Sequence, residues 1–156
     1  MSNANAELIK RFYQAFARQD AEVMAACYAP TVQFSDAVFI DLKGRDASDM
    51  WRMLCSRAQD FSLSFSDVEA DQQRGSARWT AHYTFSATGR TVVNQIRAEF
   101  VFQDGLIVEH RDHFDLWRWS RQALGLKGVL LGWLPAVQAA IRRQARQGLA
   151  SFQARH

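Results

Sequence analysis

Gly105-Leu106-Ile107-Val108-Glu109-His110-Arg111-Asp112-His113-Phe114-Asp115 is the stretch whose reading decides the fold. It follows the turn sequence Gln103-Asp104-Gly105, begins apolar and ends in a crowd of ionisable side chains. Strand side chains alternate between faces, so His110, Asp112 and Phe114 share one side, while Glu109, Arg111, His113 and Asp115 share the other. The first face, an Asp and a His among aromatic residues, is expected to look into an enclosed space. The second, a row of alternating charges, suits water or a second copy of the chain.

Working outward from this stretch, Asp104-Gly105 is a hairpin signal that joins it to a preceding strand. In that strand Ile96, Ala98, Phe100 and Phe102 form one face, opposite Arg97, Glu99 and Val101. Before it, Ala77, Trp79, Ala81, Tyr83 and Phe85 alternate with polar residues, as Phe61, Leu63 and Phe65 do with serines, and Thr88-Gly89-Arg90 makes a turn. Further back the period becomes helical. Leu8, Phe12, Ala15 and Phe16, widened by Ile9 and Tyr13, predict a first helix of about four turns. Asp20 can cap a second helix that ends before Pro30. Thr31 to Phe34 and Val38 to Leu42 read as short strands, and Asp46 or Ser48 can open a third helix carrying Met50, Trp51, Met53 and Leu54. Helices followed by long antiparallel strands specify an α+β fold, a curved antiparallel or mixed sheet wrapped around the N-terminal helices.

The 156 residues, 48% hydrophobic and 22% charged, are enough for one ordinary domain. No secretion signal or membrane-spanning run is present, so a cytoplasmic location is expected. Cys27 and Cys55 lack metal-ligand spacing and read as free thiols. The histidines (His82, His110, His113, His156) do not cluster at metal spacing, and no glycine-rich phosphate loop occurs, so no cofactor and no metal are expected. The net charge of +3 is divided unevenly: seven basic and no acidic residues follow Asp115, leaving 12 basic against 16 acidic up to and including it. Basicity belongs to the tail, which argues against a nucleic-acid binder.

That tail starts with a glycine-broken apolar run, Leu124 to Trp133, and Pro135 is placed to begin a last helix. Leu134, Val137, Ile141, Ala145 and Phe152 form its stripe, with Arg142, Arg143 and Arg146 to one side. A core-capping helix with a basic outer face and a membrane-surface contact are both compatible with this amphipathic pattern.

The order of elements resembles the nuclear transport factor 2-like superfamily, which includes SnoaL-like polyketide cyclases, ketosteroid isomerases and limonene-1,2-epoxide hydrolase. The resemblance rests on Phe12-Tyr13-Gln14-Ala15-Phe16 leading to Asp20, on Tyr28-Ala29-Pro30, on Gly44-Arg45-Asp46 and on Arg111-Asp112-His113-Phe114-Asp115. It implies a cone-shaped alpha+beta barrel domain over residues 1–125, a deep hydrophobic pocket, and dimerisation through the outer sheet face; the basic helical extension at 126–156 lies outside it. Asp112 matches the Asp on the last strand of the epoxide hydrolase, whereas Trp79 and Ala81 stand where its Arg and second Asp would be, and Phe34 and Asp36 at its Tyr and Asn positions. Of the ketosteroid isomerase pattern, Asp36 keeps the base position, eight residues beyond Tyr28; Phe12 replaces the donor Tyr and Ala98 the protonated Asp. Tyr13, about 100° around the helix from Phe12, is a poor substitute by position, and His110 is the alternative donor.

The expected pocket is lined by Phe12, Phe34, Trp79, Ala81, Ala98, Phe100 and Phe114, and its chemistry would come from Asp112, His110 and Asp36. A carboxylate among those rings is desolvated, a setting used for general acid–base work. Three function classes stay open: an enzyme working on a hydrophobic small molecule by proton transfer or water addition with Asp112 as base, a non-catalytic module for a lipid-like or polyketide-like ligand, and a protein-interaction module. The sequence names no substrate.

Overall fold

A computed structural model describes residues 3–156 of the chain. Three helices, α1 (Ala4–Ala17), α2 (Ala21–Ala26) and α3 (Arg45–Arg57), pack on a sheet made of β1 (Tyr28–Ser35), β2 (Leu42–Lys43), β3 (Ser62–Ala70), β4 (Arg74–Phe85), β5 (Arg90–Gln103) and β6 (Leu106–His113). Its six strands run in the order β2-β1-β6-β5-β4-β3. All neighbours are antiparallel except β1 and β6, which are parallel. The α+β, mixed-sheet expectation is met. A closed barrel is not formed, since β2 and β3 remain as free edges.

Alternation and helical period meet in one core. α1 buries Leu8, Ile9, Phe12, Tyr13, Ala15 and Phe16. At 100° per residue these six positions span about 160° of the helix, a face wide enough to fill a concave sheet. From the sheet come Val32, Phe34, Trp79, Ala98, Phe100 and Ile107, and from α3 Met50, Trp51 and Met53, all in the same cluster.

Two local expectations fail for identifiable reasons. Of the strand expected from Val38 to Leu42 only Leu42 forms one, because the Asp36 carboxylate accepts from the Val38 and Phe39 amides at 2.7 and 2.6 Å and holds them in a turn. Likewise neither Asp46 nor Ser48 caps α3; Gly44 precedes it at φ 55°, where a Cβ would lie 3.0 Å from the Pro30 carbonyl oxygen.

After β6 the chain forms α4 (Leu116–Leu124), α5 (Leu126–Leu131) and α6 (Pro135–Arg155). Asp115, expected on the outer sheet row, instead caps α4 by accepting from the Trp117 and Arg118 amides. α4 covers one end of the sheet with Leu116, Trp119 and Ala123 against Val92, and Tyr83, Phe114, Val38 and Ile141 pack around them. α6 starts at Pro135 as expected and inserts Leu149 and Phe152 into the main core. Two of its arginines are engaged with the 36–41 loop, Arg142 donating to the Ala37 carbonyl and Arg146 to that of Ile40, each at 2.9 Å. Among the described residues no helix is long and apolar enough to cross a membrane.

Candidate functional site

Strand pairing places the chemistry. On β6, His110 lies opposite Phe100 of β5 and, in the parallel register, opposite Phe34 of β1; Asp112 lies opposite Ala98, which in turn faces Ala77. Asp112 thus has two small side chains along its row, whereas His110 is enclosed by rings. Phe100 lies 4.4 Å from it centroid to centroid, Phe34 5.0 Å and Phe12 5.5 Å, while Trp51 stacks at 6.2 Å. His110 is 0% exposed and Asp112 4%.

A chain of hydrogen bonds crosses this interior. Trp51 Nε1–H donates to Tyr28 Oη at 2.8 Å, and Tyr28 Oη lies 2.8 Å from His110 Nδ1. His110 Nε2 is 3.0 Å from Asp112 Oδ1, which also receives Trp79 Nε1–H at 3.4 Å. An indole can only donate and a carboxylate can only accept, so one tautomer gives every group a partner: Tyr28 donates to Nδ1 and His110 donates from Nε2. Four donors thus point in sequence toward one buried carboxylate, satisfying polar groups that would each be costly to bury alone.

One group is left over. Tyr13 Oη is buried and has no hydrogen-bond partner among the described residues. Its ring packs between Phe65, Trp79 and Phe100, and its pKa is driven well above the ordinary phenol range, first by burial and then by the charge of Asp112. The position 100° from Phe12 does not turn Tyr13 away, because the buried arc of α1 is wide enough to include both. Sequence reasoning set it aside, and it missed Tyr28 and Trp51 as well.

Asp36 stands apart from this chain. Its carboxylate is committed to two backbone amides, and its pKa is pushed up from 3.8 to about 7, chiefly by burial, with the charge of Asp112 adding to it. Asp36 and Asp112 both border a cavity of about 250 Å³ where the ends of β1 and β6 separate, alongside Ser35, Asp41, Glu109 and Arg111. This is smaller than the usual ligand pocket of about 300–1,000 Å³. Of the residues expected to line a pocket, Phe12, Phe34, Trp79, Ala81, Ala98 and Phe100 are buried and Phe114 is half-buried, and none of them borders this cavity. The rings among them meet one another, Tyr13 and His110 across the interior. Trp79, at the position where the epoxide hydrolase would carry its arginine, still presents a donor, since its N–H reaches Asp112.

A larger groove of about 1,240 Å³ lies outside, between α2, α3 and the end of α6. Its charges are paired: Arg52 bonds Glu22 at 2.8 Å and Asp49 at 2.9 Å, and Gln153 of α6 donates to Asp49 at 3.0 Å. No group of three or more metal-ligating side chains is found among the described residues.

An incomplete cone of strands around helices, with a buried carboxylate on its last strand, defines the class. A model of the SnoaL-like domain matches residues 9–110, and the chain belongs to that family. No curated protein matches it. Among solved structures it is similar to a nuclear transport factor 2-like protein of Burkholderia pseudomallei, with 20% identity, TM-score 0.68, and 78% of this chain and 98% of that one covered. It is similar also to an LEH-like epoxide hydrolase of M. tuberculosis, with 19% identity, TM-score 0.66, and coverage of 83% and 96%. A protein of ketosteroid isomerase-like fold from Catenulispora acidiphila, in complex with trimethylamine, gives 12% identity, TM-score 0.67, and coverage of 83% and 98%. At these identities the likeness establishes the fold.

Proposed function

We propose that the protein acts on a hydrophobic small molecule by proton transfer inside the cone, with Asp112 as general base and Tyr13 as the donor to the substrate oxygen. The observation that carries this reading is the unpartnered Tyr13 hydroxyl beside an interior whose other polar groups all lead to Asp112. An unsatisfied buried hydroxyl costs about 1–3 kcal/mol, a cost relieved when a carbonyl oxygen accepts its proton. In an apolar site the same bond strengthens as that oxygen gains negative charge. Asp112 Oδ would take a proton from the carbon next to the carbonyl, and His110, fixed by Tyr28, would hold the carboxylate in place. His110 is then a positioning residue, and Asp36 shapes the adjoining loop. Entry would be where the main core meets the layer under α4, at Val38, Tyr83 and Phe114, which belong to the edges of both.

The test needs no natural substrate. Exchange of the α-protons of 2-tetralone and similar apolar ketones in D₂O, followed by NMR, should be accelerated by the protein. Asp112→Asn should lower that rate by about 100-fold or more, and Tyr13→Phe by about 10- to 100-fold. Binding of these ketones without exchange would support the alternative, a non-catalytic carrier for a lipid-like or polyketide-like ligand. Neither binding nor exchange would leave a protein-interaction module. We also propose a homodimer through the outer sheet face, where Arg111 pairs with Glu109 at 2.8 Å and His113 with Glu99 at 2.5 Å, and a cytoplasmic setting for the free Cys27 and Cys55.

A further inference from the structure

α5 is mounted in reverse. A surface helix ordinarily buries its apolar stripe and shows water its polar one. In Leu126-Lys127-Gly128-Val129-Leu130-Leu131-Gly132-Trp133 the glycines face inward: a Cβ on Gly128 would fall 1.9 Å from the Ser120 carbonyl oxygen, and one on Gly132 2.7 Å from Ser120 Cβ. The side without side chains lies against α4, and every large apolar group is turned outward. Leu126 is 74% exposed, Leu130 59% and Trp133 57%, with Val129 and Leu131 at 43% and 40%. Among the described residues, Ile40 is the only other exposed large apolar side chain.

The surroundings of this patch are cationic. Lys127 is on α5 itself and exposed. Arg121 lies 4.4 Å over the ring of Trp117, whose indole N–H donates to the Val129 carbonyl at 3.3 Å. The Arg90 guanidinium packs about Gly125, the residue before α5, and donates to the Gln122 carbonyl at 2.8 Å. The chain beyond Asp115 contains no carboxylate side chain. By contrast Arg142 and Arg146 of α6, the basic side that the sequence suggests for lipid contact, are occupied with the 36–41 loop.

We propose that α5 and the turn to Trp133 dock the protein onto an anionic lipid surface, the apolar side chains entering the headgroup boundary and Lys127, Arg121 and Arg90 meeting phosphates. Charge decides among the occupants. A second copy of the same face would set these cations against their own counterparts, whereas an anionic bilayer satisfies both the apolar patch and its rim. The inference is independent of the proton-transfer reading, since it uses none of the interior residues.

The experiment is co-sedimentation of the full chain with vesicles of phosphatidylcholine alone and of phosphatidylcholine containing about one-third phosphatidylglycerol. Partitioning should be about tenfold stronger onto the anionic vesicles and should weaken as salt is raised. Leu130→Ser with Trp133→Ser should reduce it about tenfold or more, and Lys127→Glu about 20- to 30-fold, the effect of changing two charges at such a surface. Arg78→Glu, the same charge change on the outer sheet face, should leave it unaltered, and circular dichroism should show all variants folded. The proposal is overturned by equal binding to neutral vesicles, by no binding, by an Arg78→Glu effect equal to that of Lys127→Glu, or by self-association in sedimentation velocity that Leu130→Ser with Trp133→Ser abolishes.

Discussion

Asp36 accepts from two backbone amides at the end of β1, yet burial pushes its pKa from 3.8 to about 7. The folded state therefore holds a proton that the unfolded chain has released. Its contribution to stability is complete below about pH 4 and is lost as pH rises to about 7. Asp36→Asn keeps the accepting oxygen without the charge, so its stability should fall less than that of wild type over this range. The difference, read from urea midpoints at both ends, should be about 1–2 kcal/mol once solvent reaching this half-buried residue is allowed for. Tyr28 makes the opposite case, a group whose worth lies in its partners. Tyr28→Phe leaves the His110 Nδ1 acceptor and the Trp51 donor both buried and unpaired, and should cost about 1–3 kcal/mol in urea denaturation. Adding Trp51→Phe should cost much less than it does alone, because the bond it removes has already gone. These residues also mark what the sequence revealed. Alternation along β6 was enough to place His110 and Asp112 together, since they are two apart. Tyr28 is 82 positions from His110 and 23 from Trp51, so its role depended on a parallel strand pairing that no local pattern announces.

At the scale of elements, legibility follows how local each cause is. The β5–β6 hairpin was readable because Asp104 and Gly105 both take positive φ, 54° and 78°, in the turn their sequence favours. The cap of α2 was readable because Asp20 reaches the Val23 amide three residues on. The strand expected at 38–42 was not, because one carboxylate captured its first amides. α5 was the hardest case, for its apolar run gave no sign that the glycine side would be the buried one. That arrangement predicts its own failure. Gly128→Ala has no backbone strain to contend with, but its methyl group would collide with the main chain at Ser120, so α5 has to lift from α4. Amide exchange over residues 126–132 should accelerate about tenfold or more, while β5 and β6 keep their protection.

Across the whole molecule, the question is whether the C-terminal helices are an attachment or part of the fold. The family match ends at residue 110, yet Leu149 and Phe152 belong to the same core cluster as Phe12, Trp51 and Phe100. Polar bonds run alongside. Gln153 donates to Asp46 and Asp49 on α3, and Arg142 and Arg146 hold the loop that also carries Asp36. α6 therefore reaches the cone at both ends of its length, and the loop bordering the carboxylates has its shape fixed partly by residues about a hundred positions later. A chain built this way should unfold as one unit. Phe152 is 7% exposed, and truncating a buried phenylalanine removes its transfer energy and leaves a void, so Phe152→Ala should lower stability by about 3 kcal/mol. Because of the shared core, that loss should appear as the same shift in two signals: far-UV circular dichroism, dominated by the helices, and the fluorescence of tryptophans such as Trp51 and Trp79 within the cone. Two separate transitions, or a fluorescence midpoint that stays in place while the helical signal moves, would show that α6 folds onto a cone already complete without it.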